Sequence, residues 1–253
     1  MFTCLIRKVN ERKSVDGGAK MKVDLIISAD DIKREKVIDK SVVVIDMLRA
    51  TSVIVTAMNN GCRQIIPVIS IEEALNIVNK SREGHILGGE RKALKIEGFD
   101  CSNSPLEYTD EMVGDKVIVI TTSNGTRAIK GSEGARNILI GALINAKAIA
   151  KKLMELNNDI VIVNAGTYGE FSIDDFLCSG YIIECLVEDV DVELTDIAKT
   201  AHYLYKKNPN LEFIENASHF KRIKELNLEK DLIYCCKKDI IDVVPEYVDG
   251  IIS

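Results

Sequence analysis

A recurring unit runs along the chain. A short run of apolar, mostly β-branched residues enters a polar or glycine-containing turn, and a segment of helical period follows. The run V-V-V-I at 42–45 sets the pattern: apolar at every position, as in a strand buried on both faces. Runs of the same kind predict strands at 23–27, 63–68, 85–87, 116–121, 136–140 and 159–164. Pro67 marks the 63–68 strand as ending there or lying at an edge. Helices are predicted at 29–37, 50–60, 71–80, from about 126, at 142–156, and from the 165–180 region to about 187. In 71–80, Ile71, Ala74, Leu75 and Val78 share one face. In 142–156, Ala146, Ile149, Ala150 and Leu153 point inward. Beyond 190 the pattern is mostly helical, at 192–206, 211–226 and 229–236, with D-V-V-P-E-Y at 242–247 as a short last strand. Strand–helix alternation of this kind predicts an α/β fold: three layers, α/β/α, around a mainly parallel sheet with room for mixed pairing. The helix-rich C-terminal part covers one side.

The turns after the strands carry the candidate chemistry. Turns at 46–49, 88–91, 121–127 and 165–175 each switch from apolar to charged or glycine-rich sequence. In a parallel sheet all of them leave the same rim, where α/β proteins bind ligands. That placement gathers Asp46, Glu90 and Asp175 with Arg49, Arg91 and Arg127. Carboxylates are hard oxygen ligands for Mg²⁺, and guanidiniums grip oxyanions bidentately. The turn T-T-S-N-G-T-R, with Asn124, Gly125 and Thr126 at a helix start, offers hydroxyls and backbone N–H groups to an anion. Such a set suits phosphoryl transfer, which depends on positioning and charge neutralisation.

Each residue also has a plainer reading. Asp46 can cap the helix behind it, and the arginines can be surface ion-pair partners. Gly88-Gly89 reads as a tight turn, and Asp174 and Asp175 as first-turn acids. His202 and His219 are isolated and read as surface or core residues. The recurrence of charge at successive strand ends favours a site.

Composition narrows the classes. The net charge is −6, Trp is absent, and no basic block occurs. Nucleic acid and membrane surfaces are therefore not expected partners; the net negative charge does not exclude the small anionic phosphorylated substrate that the strand-end turns suggest, because a pocket's local charge can oppose it. The seven cysteines are odd in number and contain no C-x-x-C pair. Reduced thiols in a cytoplasm are expected, without a zinc site. Residues 1–20 are polar and aperiodic and read as an N-terminal extension, with 21–253 as one domain starting at Met21. A homo-oligomer is expected only because symmetric assemblies are common.

Signature motifs of several phosphate-handling families are missing. Leu48 stands where a D-x-D-x-T motif needs its second acid, and there is no G-x-x-x-x-G-K-[ST] loop and no Cys-x5-Arg loop. V-V-V-I-D-M resembles the isochorismatase-like hydrolases. That alternative needs Cys178 as nucleophile and a lysine that the sequence does not place. A non-catalytic anion- or nucleotide-binding module is a further alternative.

Longer motifs point elsewhere. I-D-M-L-R-A-T-S-V-I-V-T-A-M-N-N-G (45–61), L-G-G-E-R-K-A-L-K-I-E-G-F-D-C-S-N-S-P-L-E-Y (87–108), T-T-S-N-G-T-R-A-I (121–129) and N-A-G-T-Y-G-E-F-S-I-D-D-F-L-C-S-G (164–180) follow one another in order. C-C-K-K-D-I-I-D-V-V-P (235–245) adds a weaker match. From Met21 to the C-terminus the chain resembles the 2-phosphosulfolactate phosphatase family of coenzyme M biosynthesis and related sulfolactate pathways. Ser123 stands where that family usually has Thr, and keeps the hydroxyl. The resemblance implies a Mg²⁺-dependent phosphatase releasing 3-sulfolactate and phosphate from 2-phospho-3-sulfolactate. On that implication Asp46, Glu90 and Asp175 hold Mg²⁺ or position the attacking group, and Arg49, Arg91 and Arg127 bind the anionic groups. Asn103, Ser104, Asn124, Gly125 and Thr126 complete the pocket. Whether Asp46 attacks phosphorus or a metal-bound water does so stays open.

Overall fold

The computed structural model describes residues 20–253. Apart from Lys20, the expected extension at 1–20 lies outside them. The strands are β1 (Lys22–Ile26), β2 (Ser41–Ile45), β3 (Gln64–Pro67), β4 (His85–Arg91), β5 (Leu94–Lys95), β6 (Val117–Thr121), β7 (Asn137–Gly141), β8 (Ile160–Asn164), β9 (Glu193–Leu194), β10 (Tyr247–Val248) and β11 (Ile251–Ile252). The helices are α1 (Arg34–Val37), α2 (Ala50–Asn59), α3 (Ile71–Lys80), α4 (Asp110–Val113), α5 (Gly125–Gly131), α6 (Ala146–Leu156), α7 (Ile173–Asp189), α8 (Asp196–Lys207), α9 (Ser218–Glu225) and α10 (Glu229–Cys235).

The α/β class with mainly parallel pairing is as expected, but the strands form two sheets. The first runs β7-β2-β8-β1-β9 and is parallel throughout. The second runs β10-β11-β3-β6-β4-β5, parallel across β3-β6-β4 and antiparallel at both ends. Strand alternation explains the layers. Val43 and Ile45 of β2 face a core shared with α6, α7 and α8, and Val42 and Val44 face a core shared with α2 and α5. Ile65, Ile118 and Ile120 of the second sheet belong to that same middle core. On the far side of the second sheet, Val119 and Leu87 pack with Ala74 and Val78 of α3.

Several local expectations change. The helix at 29–37 divides into a 3₁₀ turn at Ala29–Asp31 and the short α1. The Ser28 hydroxyl donates to Asp31 at 2.8 Å and closes that turn. Gly88-Gly89 is not a turn, because β4 continues through it to Arg91. A side chain at Gly88 would collide with the Tyr108 hydroxyl, and Gly89 has φ +134° against the Thr121 carbonyl. Helix α8 starts at Asp196, because Glu193 and Leu194 pair with Lys22 and Val23. The last strand begins only at Tyr247. Pro245, which has no N–H to give a ladder, instead accepts from the Ile140 N–H at 2.9 Å. Among the described residues, no helix is long and apolar enough to cross a membrane.

Candidate active site

The site lies where the carboxyl ends of both sheets meet. In the first sheet Ile45 pairs with Asn164, so Asp46 and the 165–175 segment leave one edge together. In the second, Gly89 pairs with Thr121, so Glu90 and the 121–127 turn leave theirs together. Two contacts join these edges. Gly125 lies so close to Asp46 that a methyl group there would fall 2.8 Å from Oδ2. The Tyr168 N–H, in the 165–175 segment, donates to Asn124 Oδ1 at 3.2 Å.

The carboxylates differ in what already occupies them. Both oxygens of Asp175 are taken: Oδ1 accepts from the Met47 N–H at 2.9 Å, and Oδ2 from the Gly166 N–H at 3.0 Å. This residue ties the turn after β2 to the turn after β8. Glu90 is similarly engaged, by the Ser123 N–H at 2.6 Å and the Ala93 N–H at 2.7 Å. Asp46 is buried, yet its carboxylate accepts only a long 3.4 Å bond from the Ala50 N–H. Burial, then the charges of Glu90 and Asp174, push its pKa up to about 7, against the pull of the Ala50 and Gly125 N–H groups. Asp174, also buried, accepts at Oδ1 from the Ser172 hydroxyl. Asp46 and Asp174 are therefore the acids with oxygens to spare, and Asp175 is a structural clamp. Burial, then the charges of Asp174 and Asp46, raise the Asp175 pKa well above the usual carboxylate range.

The arginines separate as well. Arg49 is 1% exposed and pairs through Nη1 with Asp231, while Nη2 donates to the Ala93 carbonyl at 3.0 Å. Arg91, next to Glu90 on a strand, projects to the other face. Its guanidinium is spent on the Glu90 carbonyl at 2.7 Å, the Ile69 carbonyl at 3.0 Å and the Thr121 hydroxyl at 2.9 Å. Arg127 is exposed and pairs with Asp30. Of the three expected anion-binding arginines, only Arg49 sits among the buried polar groups.

The 121–127 turn is braced internally. Thr126 is fully buried; its N–H donates to the Thr122 hydroxyl at 3.1 Å, and its own hydroxyl donates to the Thr122 carbonyl at 3.1 Å. It shapes the turn and has no hydroxyl left over for a ligand. Asn103 and Ser104 arrive on the long segment after β5, both buried. Ser104 donates to Asp231 Oδ1 at 2.6 Å. Among the described residues, Arg49 Nε, Asn103 Oδ1 and Asn164 Nδ2 are buried without a hydrogen-bond partner.

The sequence reading passes over three residues here. Asp174 reads as a twin of Asp175. His219, from α9, has its Nδ1 3.4 Å from the Thr167 hydroxyl. The Thr167 contact places it at the 165–175 turn; burial lowers its pKa, while the charges of Asp174 and Glu90 act against that shift. Asp231 sits in a Lys/Glu-rich helical stretch that reads as a solvated face or a subunit contact, yet it is 2% exposed. No spacing motif marks either His219 or Asp231.

The expected Mg²⁺ ligand set does not form as a cage. Among the described residues, no three His, Cys, Asp or Glu side chains group so as to hold a metal ion, and the Asp175 oxygens are already in use. Asp46 with Asp174 still offers hard oxygen donors. That fits the Mg²⁺ habit of using one or two carboxylates, several waters and a substrate phosphate. The cysteine alternative fares worse. Cys178 is fully buried in the core on α7, and burial, with Asp175 and Asp174 nearby, raises its thiol pKa well above the ordinary value.

Comparison with known proteins gives the family. A family model for 2-phosphosulpholactate phosphatase matches residues 26–250. The probable 2-phosphosulfolactate phosphatase of Clostridium tetani is 68% identical over 233 residues, covering 92% of this chain and 100% of the relative. That of Clostridium kluyveri is 67% identical over 234 residues, 92% of this chain and 98% of the relative. That of Clostridium acetobutylicum is 63% identical over 232 residues, 91% and 99% respectively. The chain belongs to the 2-phosphosulfolactate phosphatase family.

Proposed function

We propose that this protein is a phosphoric monoester hydrolase that converts 2-phospho-3-sulfolactate and water to 3-sulfolactate and inorganic phosphate. The observation that carries the reading is the buried acid pair Asp46 and Asp174, with Glu90, His219 and Arg49 beside it, at the meeting of two strand-end rims. In this reading Asp46 is the reacting carboxylate, because it is buried and barely engaged. Asp174 supports it from α7, and Glu90 fixes the 121–127 turn through Ser123. Arg49 offers positive charge to an anionic group of the substrate.

Mg²⁺ is part of the proposal. Asp46 and one neighbouring carboxylate would hold it, and when bound it would neutralise charge on the phosphoryl oxygens. The unpaired thiols among the described residues suit a reducing cytoplasm.

The test is phosphate release across a panel of phosphorylated 2-hydroxy acids, with and without EDTA. The expected result is fastest release from 2-phospho-3-sulfolactate, abolished by EDTA and restored by Mg²⁺. Turnover that EDTA leaves untouched removes the metal from the proposal. Absence of turnover on every member of the panel removes the reaction. A phospho-aspartate trapped at Asp46, or net retention of configuration at phosphorus, would identify the carboxylate as nucleophile, and inversion at phosphorus with no trapped phospho-enzyme would identify direct attack by water.

A further inference from the structure

Arg49 holds an arrangement that the reaction alone does not account for. Its guanidinium is fully buried, and a buried cation needs an anion and hydrogen bonds to remain charged there. Asp231 supplies the anion from α10, far along the chain from Arg49. Asp231 is itself held, because its other oxygen accepts from the Ser104 hydroxyl at 2.6 Å. The Ala93 carbonyl takes Nη2 at 3.0 Å. Nη1 and Nη2 are thereby each engaged, and Nε is the one guanidinium nitrogen left without a partner in a buried position. An unmet buried donor costs about 1–3 kcal/mol and calls for an explanation. The same Ala93 donates its N–H to Glu90 Oε2 at 2.7 Å, so the guanidinium borders the acid cluster.

We infer that Asp231 is a positioning residue: with Ser104 it holds the Arg49 guanidinium so that its Nε–H is presented to an oxyanion of the bound substrate. This rests on the reading given under Proposed function. It assigns the C-terminal helix α10 a part in substrate binding. A guanidinium held by one rigid carboxylate loses little freedom when the ligand arrives, whereas a loosely held one must be ordered at the cost of affinity.

The test uses the full chain and measures binding separately from turnover. Affinity for 3-sulfolactate is read by calorimetry, and KM and kcat for 2-phospho-3-sulfolactate by phosphate release, in wild type, Asp231→Asn, Arg49→Lys and the double variant. Asp231→Asn is expected to weaken sulfolactate binding and raise KM by ~10-fold or more, with a smaller change in kcat. In the Arg49→Lys background the same substitution should have little further effect, because its route of action is already lost. Ser104→Ala, which leaves the Arg49–Asp231 charge pair in place, should shift KM in the same direction by less, and it provides the test if Asp231→Asn does not fold. Sulfolactate affinity and KM within twofold of wild type in a folded Asp231→Asn protein, or in Ser104→Ala when Asp231→Asn does not fold, would overturn the inference alone. So would an undiminished effect of Asp231→Asn in the Arg49→Lys background. A wild-type protein that neither binds sulfolactate nor releases phosphate would overturn the functional reading beneath it as well.

Discussion

Asp174 and Asp175 are chain neighbours on the first turn of α7, yet their carboxylates have opposite employment. Asp175 accepts backbone N–H groups from Met47 and Gly166 at both oxygens, while Asp174 keeps Oδ2 free beside Asp46 and His219. Consecutive helical residues point about 100° apart, so one faces the strand-end turns and the other the cluster. Asp175→Ala strands two buried N–H groups, which predicts a loss of about 2–5 kcal/mol in urea unfolding. Asp174→Asn keeps the shape and is expected to stay within about 1 kcal/mol of wild type while kcat falls ~100-fold or more. Full turnover in Asp174→Asn would return the functional role to Asp175.

Asp46 predicts an unusual dependence of stability on pH. Its folded pKa rises from an ordinary 3.8 to about 7, chiefly through burial and then through Glu90 and Asp174. Between those pH values the folded protein keeps a proton that the unfolded chain has released. Stability from this group therefore falls as pH rises through the window and stays low above it. Asp46→Asn removes the penalty, so at pH 8 in EDTA it should be more stable than wild type by about 1–3 kcal/mol, with no gain at pH 4. EDTA matters because a bound cation favours the ionised acid. Thermal melts across pH 4–8 make the measurement. A constant difference between the two proteins would rule out a raised Asp46 pKa. The same variant is expected to be inactive at every pH.

The division between what the sequence reveals and what it hides has physical causes. The central strands of the first sheet, β2 and β8, are legible because each carries four consecutive apolar β-branched residues, and the rim follows from parallel pairing. The split into two sheets is not legible, because β6 is as apolar and buried as β2 and nothing local tells which strand neighbours which. Asp46, Glu90 and Arg49 could be found because strand ends are predictable. The separate duties of Asp174 and Asp175 depend on the angle at which α7 docks. Asp231 is hidden by its polar neighbours, since burial of one carboxylate in a charged helix is set by a partner at Arg49, 182 residues away. Arg91 and Arg127 follow acids and glycines closely in the sequence, but strand alternation and surface exposure direct their side chains elsewhere.

Arg127 supplies a direct check on that last point. Its guanidinium lies at the surface, 42% exposed, paired with an Asp30 that is 50% exposed. Exposed pairs contribute about 0–1 kcal/mol. Arg127→Ala is therefore expected to change the melting temperature little and to keep kcat/KM within about twofold of wild type. A drop of ~100-fold in a well-folded variant would mean that Arg127 leaves Asp30 and reaches the substrate.

Cys178 separates the two hydrolase chemistries. Its thiol is fully buried among apolar side chains, and its pKa is pushed well up by burial and by the acids Asp175 and Asp174. A thiol so placed is a poor nucleophile. Cys178→Ala should keep phosphatase turnover within about threefold while lowering stability by ~1 kcal/mol through the small cavity it leaves. Iodoacetamide should not inactivate the native protein. Complete loss of turnover in a folded Cys178→Ala protein would revive the cysteine-hydrolase reading.

Gly125 gives the sharpest test of the site's geometry, because two effects oppose each other there. It is the first residue of α5, where Ala would ordinarily stabilise a helix over Gly by about 0.5–1 kcal/mol. Here an added methyl group would meet Ala50 Cβ at 2.6 Å and Asp46 Oδ2 at 2.8 Å. Neither can give way easily: Ala50 is fully buried at the start of α2, and Asp46 leaves a strand held in register on both sides. The collision should outweigh the propensity. Gly125→Ala is expected to lower the melting temperature and to cut kcat/KM by ~100-fold by shifting the Asp46 carboxylate, with KM changed less than kcat. Normal far-ultraviolet circular dichroism would show that the fold survives. A variant that melts higher than wild type and turns over normally would mean that the 121–127 turn does not pack on Asp46, and the junction between the two sheets would need another arrangement.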